Sequence, residues 1–163
     1  MVNILISGAQ TGADQGGLRA AKALGIETGG YMPKGWKTEE GPKPEFEEEY
    51  GMIEHDSPNY EDRTQANIKL ATATIIFGRR SRGSNLTEEL CRKLEKPCIW
   101  VWWPAPPEGV SPGGLIPQKQ NTSAMRLWLK RHNVTVLNCA GNRESKNPGV
   151  GEFTENFLKA VLK

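Results

Sequence analysis

Along the chain, short runs of apolar and β-branched residues alternate with longer segments whose apolar residues recur at helical spacing. The short runs are typical of buried strands, and they predict strands at Asn3–Ser7, Glu27–Tyr31, Gly51–His55, Thr74–Phe77, Cys98–Trp102 and Val134–Asn138. The longer segments predict helices at Gln15–Leu24, Pro58–Ala71, Asn85–Leu94, Thr122–Arg131 and Glu152–Leu162. Irregular segments rich in proline and glycine are predicted at Pro33–Glu49 and Pro104–Gln120. This alternation favours a three-layer α/β fold around a mostly parallel central sheet.

Length and charge narrow the class of protein. The 163 residues fit a single domain, residues 1–163, with one sizeable core. A net charge of +2 gives no general attraction to nucleic acid or to an anionic membrane. The longest dense apolar run, Cys98–Trp103, is far shorter than the roughly 20 residues of a membrane-spanning helix. The start of the chain lacks the basic region and cleavage site of a signal peptide, so we expect a cytoplasmic protein.

Cysteine and histidine form no recognisable metal or redox motif in the sequence. The three cysteines, Cys91, Cys98 and Cys139, have apolar neighbours and form no CxxC pair. The two histidines, His55 and His132, lie near none of them in the sequence. We therefore expect buried thiols and no metal held by protein ligands.

The loops that follow the strands are the expected place for chemistry, because parallel α/β sheets bind ligands beyond the carboxyl ends of their strands. The first of these loops, Gly8–Gly17, leads from a buried strand into a helix. Its glycines let backbone amides approach a ligand, and the helix N-terminus favours an anion such as phosphate. It is neither a Walker A loop nor a GxGxxG fingerprint. A tight turn is the alternative, but Gln10, Thr11 and Asp14 add polar groups that a turn does not need.

A second strand-to-helix loop, Arg79–Glu88, carries three arginines that can bind phosphate through paired donors. Gly83–Ser84 lies at the predicted helix start and forms a second candidate anion cradle. Asn85 and Glu88 have the spacing of a capping box. Glu88 therefore either caps the helix or, with Thr87, contacts hydroxyls of a ligand. A solvated basic loop is the alternative for the whole segment.

Weaker candidates lie elsewhere in the sequence. The loop after the last strand, Asn138–Ser145, offers Arg143, which pairs either with an anion or with the neighbouring Glu144. Lys34, after the second predicted strand, is a point charge able to reach a phosphate. Trp36 close to it either stacks on a base or pterin ring or only packs.

Two further groups of residues each allow more than one interpretation. Arg63 and Asn67 share one face of a predicted helix and point either to a ligand or to solvent. Trp100 and Trp102 share one face of a strand and Trp103 points to the other. These tryptophans indicate sheet–helix packing or a subunit interface more than base stacking. No GxSxG, HExxH or Ser-His-Asp set is found, so no motif compels a reaction.

Six sequence blocks, in order and over nearly the whole chain, carry a family resemblance. They are ISGAQTGADQGGLRAA at Ile6–Ala21, GGYMPKGWKTEEGP at Gly29–Pro42, YEDRTQANIKLATATIIF at Tyr60–Phe77, RGSNLTEEL at Arg82–Leu90, KPC at Lys96–Cys98 and LNCAGNRESKNPGV at Leu137–Val150. In these blocks the chain resembles the family named "putative molybdenum carrier", relatives of molybdenum cofactor carrier proteins. That family lies in the Rossmann-like superfamily that includes the LOG proteins and the DprA domain.

The resemblance implies a Rossmann-like three-layer sandwich with a ligand cleft at the C-terminal ends of the strands. The cleft residues that it implies are Gly8, Gln10, Thr11, Gly12, Ala13, Asp14, Lys34, Gly35, Arg63, Thr64, Asn67, Gly83, Ser84, Thr87, Gly141, Arg143, Glu144 and Ser145.

The same resemblance implies a small-molecule-binding protein rather than an enzyme. Its ligand would be phosphorylated or of the nucleotide type: molybdenum cofactor by the family name, or a nucleotide by wider kinship. One alternative is a nucleotide or nucleoside phosphoribohydrolase-like enzyme in which Glu88 or Asp14 activates water. Another is a protein that sequesters a nucleotide signal, and a third is a nucleic-acid or protein adaptor, against which the near-neutral charge argues. A homo-oligomer is expected.

Overall fold

The computed structural model describes residues 1–106 and 121–163, with the backbone alone for residue 121, and in these ranges it has six strands and six helices. The strands are β1 (Ile4–Ser7), β2 (Glu27–Met32), β3 (Met52–Glu54), β4 (Ala73–Gly78), β5 (Cys98–Trp102) and β6 (Val136–Gly141). The helices are α1 (Ala13–Ala23), α2 (Phe46–Tyr50), α3 (Tyr60–Leu70), α4 (Arg82–Lys93), α5 (Asn121–Arg131) and α6 (Val150–Leu162). The predicted loop Pro104–Gln120 lies outside the described residues from position 107 onward.

The six strands form one parallel sheet in the order β3-β2-β1-β6-β4-β5. Strand β6 lies between β1 and β4, pairing Ile4 with Val136 on one side and Ala73 with Leu137 on the other. The chain moves outward from β1 to β3 in one direction and from β4 to β5 in the other. The sheet therefore has its topological switch point at its centre, where ligands bind in open α/β sheets.

Helices cover both faces of the sheet, which completes the predicted three-layer α/β arrangement. Helices α1, α5 and α6 pack together on one face, and α3 and α4 lie on the other. The α1–α6 contact is backbone to backbone, because a Cβ on Gly16 would lie 2.3 Å from the carbonyl oxygen of Gly151. Apolar residues of the sheet, such as Leu5, Phe77 and Leu137, are fully buried between the layers.

Helix α4 begins three residues earlier than the sequence predicts. Its N-cap is Ser81, whose hydroxyl accepts from the Ser84 N–H at 3.1 Å, while the Ser84 hydroxyl accepts from the Ser81 N–H at 2.8 Å. The predicted capping box of Asn85 and Glu88 is therefore wrong. Two short serine side chains satisfy the first helical amides one turn before that pair is reached.

Other boundaries differ by up to three residues, and one helix has no counterpart in the prediction. Helix α2 lies in the segment predicted as irregular, because five residues are too few to show helical periodicity. Strand β6 continues to Gly141, three residues past the predicted Val134–Asn138, because it pairs with neighbours on both sides. Cys91, Cys98 and Cys139 are thiols, the first and last of them buried. No helix in the described part of the chain has the length and apolar character to cross a membrane.

Candidate functional site

A cavity of about 740 Å³ opens at the carboxyl ends of β1, β6 and β4 and is bounded by α3 and the start of α4. We call it the arginine cavity, because six of its lining side chains are cationic and two are acidic. The cationic residues are Arg63, Arg79, Arg80, Arg82, Arg143 and Lys146, and the acidic ones are Asp14 and Glu61.

Arg63 reaches across the cavity from α3 to the end of β1. A Cβ on Gly8 would lie only 1.2 Å from Arg63 Nη1, so glycine is required for this approach and not only for the turn. Nη1 lies 3.4 Å from Asp14 Oδ2, which also accepts from the Gln10 N–H at 3.2 Å. Burial raises the pKa of Asp14, although Arg63 opposes this shift. Burial lowers the pKa of Arg63, although Asp14 opposes that shift.

Two buried donors beside this pair have no hydrogen-bond partner among the described residues: Arg63 Nε and Gln10 Nε2. Gln10 is 6% exposed and Arg63 8%. The side-chain oxygen of Gln10, Oε1, accepts from the backbone N–H groups of Thr11, at 3.0 Å, and Glu39, at 2.9 Å. These two bonds determine the orientation of the side-chain amide. Both residues line the cavity, and buried donors of this kind are normally paired.

Tyr60, at the first position of α3, stands between two of the cationic side chains. Its ring centroid lies 5.3 Å from Arg63 Cζ and 5.0 Å from Arg143 Cζ. Cation–π contacts of this kind hold guanidinium groups without neutralising their charge. The sequence analysis did not select Tyr60, although its position three residues before Arg63 places both on one helical face.

The tryptophans in and just after β5 point to two sides of the sheet, as the strand pattern predicts. Trp100 and Trp102 stack with centroids 4.5 Å apart and planes 9° apart. Trp103 instead stacks on Phe153 of α6, with centroids 5.5 Å apart. The first contact lies within β5, and the second packs the end of that strand against α6.

Arg80 and Glu88 lie over this tryptophan pair. Arg80 Cζ is 5.0 Å from the Trp100 ring centroid, and Arg80 Nη1 donates to Glu88 at 3.1 Å. The Trp100 indole N–H donates to the same carboxylate. Slight burial raises the pKa of Glu88, but hydrogen bonds from Trp100 and Arg80 outweigh it and hold the pKa below its ordinary value. Glu88 therefore neither caps α4 nor lines the arginine cavity.

Asn142 joins the two loops that form the cationic side of the cavity. Its Oδ1 accepts from the Arg79 N–H at 2.7 Å and from Asn147 Nδ2 at 3.0 Å. Its Nδ2 donates to the Arg79 carbonyl at 2.9 Å and to Ser81 Oγ at 3.3 Å. These bonds position the loop after β4 against the loop after β6.

Glu39, from the segment between β2 and α2, bonds to two residues that the sequence assigns to the ligand. The hydroxyls of Thr11 and Ser145 and the Ser145 N–H, at 3.1 Å, donate to its carboxylate. We call these donors the Thr11–Ser145 cradle. Slight burial raises the pKa of Glu39, but hydrogen bonds from Ser145 and Thr11 outweigh it and hold the pKa below its ordinary value.

Glu144 caps helix α6, whereas the sequence assigns it to the ligand. Its carboxylate accepts from the N–H groups of Gly149, at 2.5 Å, and Gly151, at 3.1 Å. The start of α1 is covered in a related way, because the Ala13 N–H donates to the Asn142 carbonyl at 3.1 Å. Neither helix therefore presents all of its first amides to the cavity.

The structure brings together slightly more than half of the residues expected in the cleft. Those that line the cavity are Gly8, Gln10, Asp14, Arg63, Thr64, Asn67, Gly83, Thr87, Gly141 and Arg143. Those outside the lining are Thr11, Gly12, Ala13, Lys34, Gly35, Ser84, Glu144 and Ser145. Contact of any of them with a ligand stays a prediction.

Intrachain contacts explain several of the outlying positions. Gly12 packs against the loop after β6, where its Cβ would lie 2.4 Å from the Asn142 carbonyl. Ser84 is used in the cap of α4. Lys34 and Gly35 are exposed, and the Gly35 N–H donates to Glu54 at 2.7 Å.

Several lining residues were not in the expected cleft. They are Tyr60, Glu61, Arg79, Arg80, Ser81, Arg82, Leu86, Asn138, Cys139, Ala140, Asn142 and Lys146. Many of these lie in the two loops that the sequence marks after the fourth and last predicted strands. Among the described residues, no three histidine, cysteine or acidic side chains come together to hold a metal ion.

Comparison with known proteins gives the family. No curated protein matches the chain. The crystal structure of a protein from Syntrophus aciditrophicus SB, named "Putative molybdenum carrier protein", superposes with a TM-score of 0.85 at 30% identity. The alignment covers 99% of this chain and 96% of that one. The family model described as "Circularly permutated YpsA SLOG family" matches residues 5–162. The resemblance seen in the sequence is thus confirmed, and the chain belongs to the circularly permutated YpsA SLOG family.

Proposed function

We propose that this protein binds a phosphorylated small molecule in the arginine cavity and holds it without converting it. The observation that carries the proposal is the excess of cations in one cavity, six against two acidic groups, beside two buried donors that have no partner in the described part of the chain. Arginine pairs with phosphate through charge-assisted, often bidentate, hydrogen bonds. The cavity also has the size of a typical small-molecule site.

The ligand class is a nucleotide or a phosphorylated pterin. The name of the structural neighbour supports a molybdenum-related cargo, with molybdenum cofactor as its natural form, and the SLOG family supports a nucleotide. Arg63 and Arg143, which are held by Tyr60, would bind the phosphoryl group, and Asp14 would accept from a hydroxyl or ring N–H. Transport of a cofactor and sequestration of a nucleotide signal would use the same contacts.

In the phosphoribohydrolase-like alternative, one of the two candidate general bases lies in the cavity. Asp14 lines the cavity with its pKa raised by burial, against the opposing effect of Arg63, while Glu88 is held by Arg80 and Trp100. Release of free base from a nucleoside monophosphate, lost in Asp14→Asn, would establish the enzyme and contradict a pure carrier.

The first experiment is native against denaturing mass spectrometry of the freshly purified protein. A mass excess in the native spectrum identifies the bound molecule, with a pterin or molybdenum signature for a carrier and a nucleotide mass for a sequestering protein. The same spectrum gives the subunit number and tests the proposed homo-oligomer.

A charge-matched pair of variants tests the site. We expect Arg143→Gln to weaken binding of the identified ligand, or of AMP, by about tenfold or more, because one charge-assisted bond is lost. Arg131→Gln removes the same charge at the exposed end of α5 and should leave affinity unchanged. Equal affinity of both variants and the wild type would place the ligand elsewhere.

A further inference from the structure

The carboxylate of Glu39 is bound by a group of donors that could equally bind an oxyanion. It receives three donors, the two hydroxyls and one N–H of the Thr11–Ser145 cradle. The two halves of this cradle come from the loops after β1 and β6, which also form the arginine cavity. A carboxylate with this set of donors has the contacts that a phosphoryl oxygen pair would make.

The cradle and the arginine cavity are neighbours. Gln10 lines the cavity, and its side-chain carbonyl accepts from the backbone N–H of both Thr11 and Glu39. Arg143 also lines the cavity and lies two residues before Ser145 in the same loop. The side chain of Glu39 occupies the cradle donors.

A second observation, within the described residues, is an unpaired donor on Gln10, whose side chain bonds to both Thr11 and Glu39. The Nε2 group of Gln10 is buried and has no partner within residues 1–106 and 121–163. The contacts of its carbonyl with Thr11 and Glu39 rule out an amide flip that would satisfy it. This unpaired donor therefore lies on the same side chain that bonds to the backbone N–H groups of Thr11 and Glu39.

We propose that Glu39 is a built-in competitor for a second anion subsite, and that the ligand carries two phosphoryl groups, one of which displaces Glu39 from the Thr11–Ser145 cradle. This inference rests on the proposed function for the first phosphoryl group, which binds in the arginine cavity. A ligand with one phosphoryl group binds without moving Glu39. A ligand with two gains the cradle donors and releases the segment between β2 and α2.

The affinity test uses inorganic pyrophosphate and orthophosphate as probes, by calorimetry at constant ionic strength. We expect Glu39→Ala to bind pyrophosphate about tenfold more tightly than the wild type, because the competing charge-assisted bonds are gone. The gain should disappear in Glu39→Ala combined with Ser145→Ala, which removes a cradle donor. Glu40→Ala, an exposed neighbour of the same charge, is the matched control and should bind as the wild type does.

Each outcome separates the two proposals. If Glu39→Ala binds pyrophosphate no more tightly than Glu40→Ala does, Glu39 only ties the loops together and the competitor is disproved. If the wild type binds orthophosphate and Arg143→Gln does not, the proposed function survives that failure. If no variant binds either probe, both proposals are wrong.

A second readout follows the segment directly. Lys34 and Lys37 are exposed trypsin sites in the segment that Glu39 anchors. We expect pyrophosphate to speed cleavage there in the wild type, although ligands usually protect, and to have no effect in Glu39→Ala, where the anchor is already absent. Protection by pyrophosphate in the wild type would contradict displacement.

Discussion

Asn142 makes the hydrogen bonds of a strand neighbour to Arg79, accepting from its N–H at 2.7 Å and donating to its carbonyl at 2.9 Å. Strands β4 and β6 pair up to Phe77 and Gly141, and the side-chain amide of Asn142 extends that pairing to Arg79. The arginines after β4 therefore start from a fixed point beside the loop after β6. Asn142 thereby contributes to the position of the cationic side of the cavity, together with the bonds of Arg79 to Ser84 and Lys146.

We expect Asn142→Ala to lower the free energy of unfolding by about 1–3 kcal/mol, because it removes a buried group that bonds to both loops. Denaturant unfolding followed by circular dichroism measures the change. Asn156→Ala, the same truncation at an exposed position of α6, should change stability by less than about 0.5 kcal/mol. Equal effects of the two variants would contradict a joining role for Asn142.

The Arg63–Asp14 pair predicts a pH-dependent loss of stability. Arg63→Met leaves the buried carboxylate of Asp14 without its cation, which should cost about 3 kcal/mol near neutral pH. Burial already raises the pKa of Asp14 above the ordinary value of 3.8, and loss of the opposing Arg63 raises it further. The folded variant thus binds the proton more tightly than the unfolded chain does, so its stability falls as pH rises through that raised pKa.

Denaturant unfolding of wild type and Arg63→Met at several pH values checks this prediction. The difference in stability should be small near pH 4 and grow toward pH 7. Adding Asp14→Asn to Arg63→Met removes the titrating group and should flatten the pH dependence. A deficit that is the same at every pH would mean that lost packing, rather than the unpaired carboxylate, explains it.

Substitution of Gly83 should change the stability of the protein and its affinity for a ligand in opposite directions. A Cβ at this position in the first turn of α4 would meet no atom within 4 Å. Gly83→Ala should therefore stabilise the protein by about 0.5 kcal/mol through helix propensity. Because Gly83 lines the arginine cavity, we expect the same variant to weaken binding of AMP. Greater thermal stability with unchanged affinity would show that no ligand approaches the backbone there.

Glu88 predicts different effects for two substitutions. Glu88→Ala leaves the buried Trp100 indole N–H without its acceptor, and we expect a loss of about 1–3 kcal/mol. Glu88→Gln keeps an acceptor for the indole and should lose less than about 1 kcal/mol. Tryptophan fluorescence during urea unfolding follows both variants. Equal losses would assign the stabilisation to the ion pair with Arg80 instead of the indole bond.

The order and type of the main elements could be predicted from the sequence because periodicity is a local signal. The buried run of β4 and the apolar stripe of α6 both show it within a few residues. Helix α2 is too short to repeat a pattern, and the start of α4 was misplaced because Asn85 and Glu88 mimic a capping pair that Ser81 and Ser84 pre-empt. The place of β6 between β1 and β4 has no local signal.

The residues of the candidate site were likewise predictable from the sequence only in part. Gly8, Gln10 and Asp14 could be placed in the cavity because they follow a buried strand and precede a helix. The partners of Thr11 and Ser145 could not be foreseen, since Glu39 reaches them from a segment with no regular structure. Long-range pairing of this kind leaves no trace in a single sequence.

The central position of β6 also determines when the sheet can be completed during synthesis. Residues 136–141 are synthesised after the other five strands, and without them β3-β2-β1 and β4-β5 would be two fragments with no strand between β1 and β4. Unpaired strand edges invite pairing with other chains. The arrival of β6 covers both edges and supplies Gly141 and Arg143 in one event. The sheet is therefore completed late in synthesis, and we expect protection by chaperones to matter most just before β6 is made.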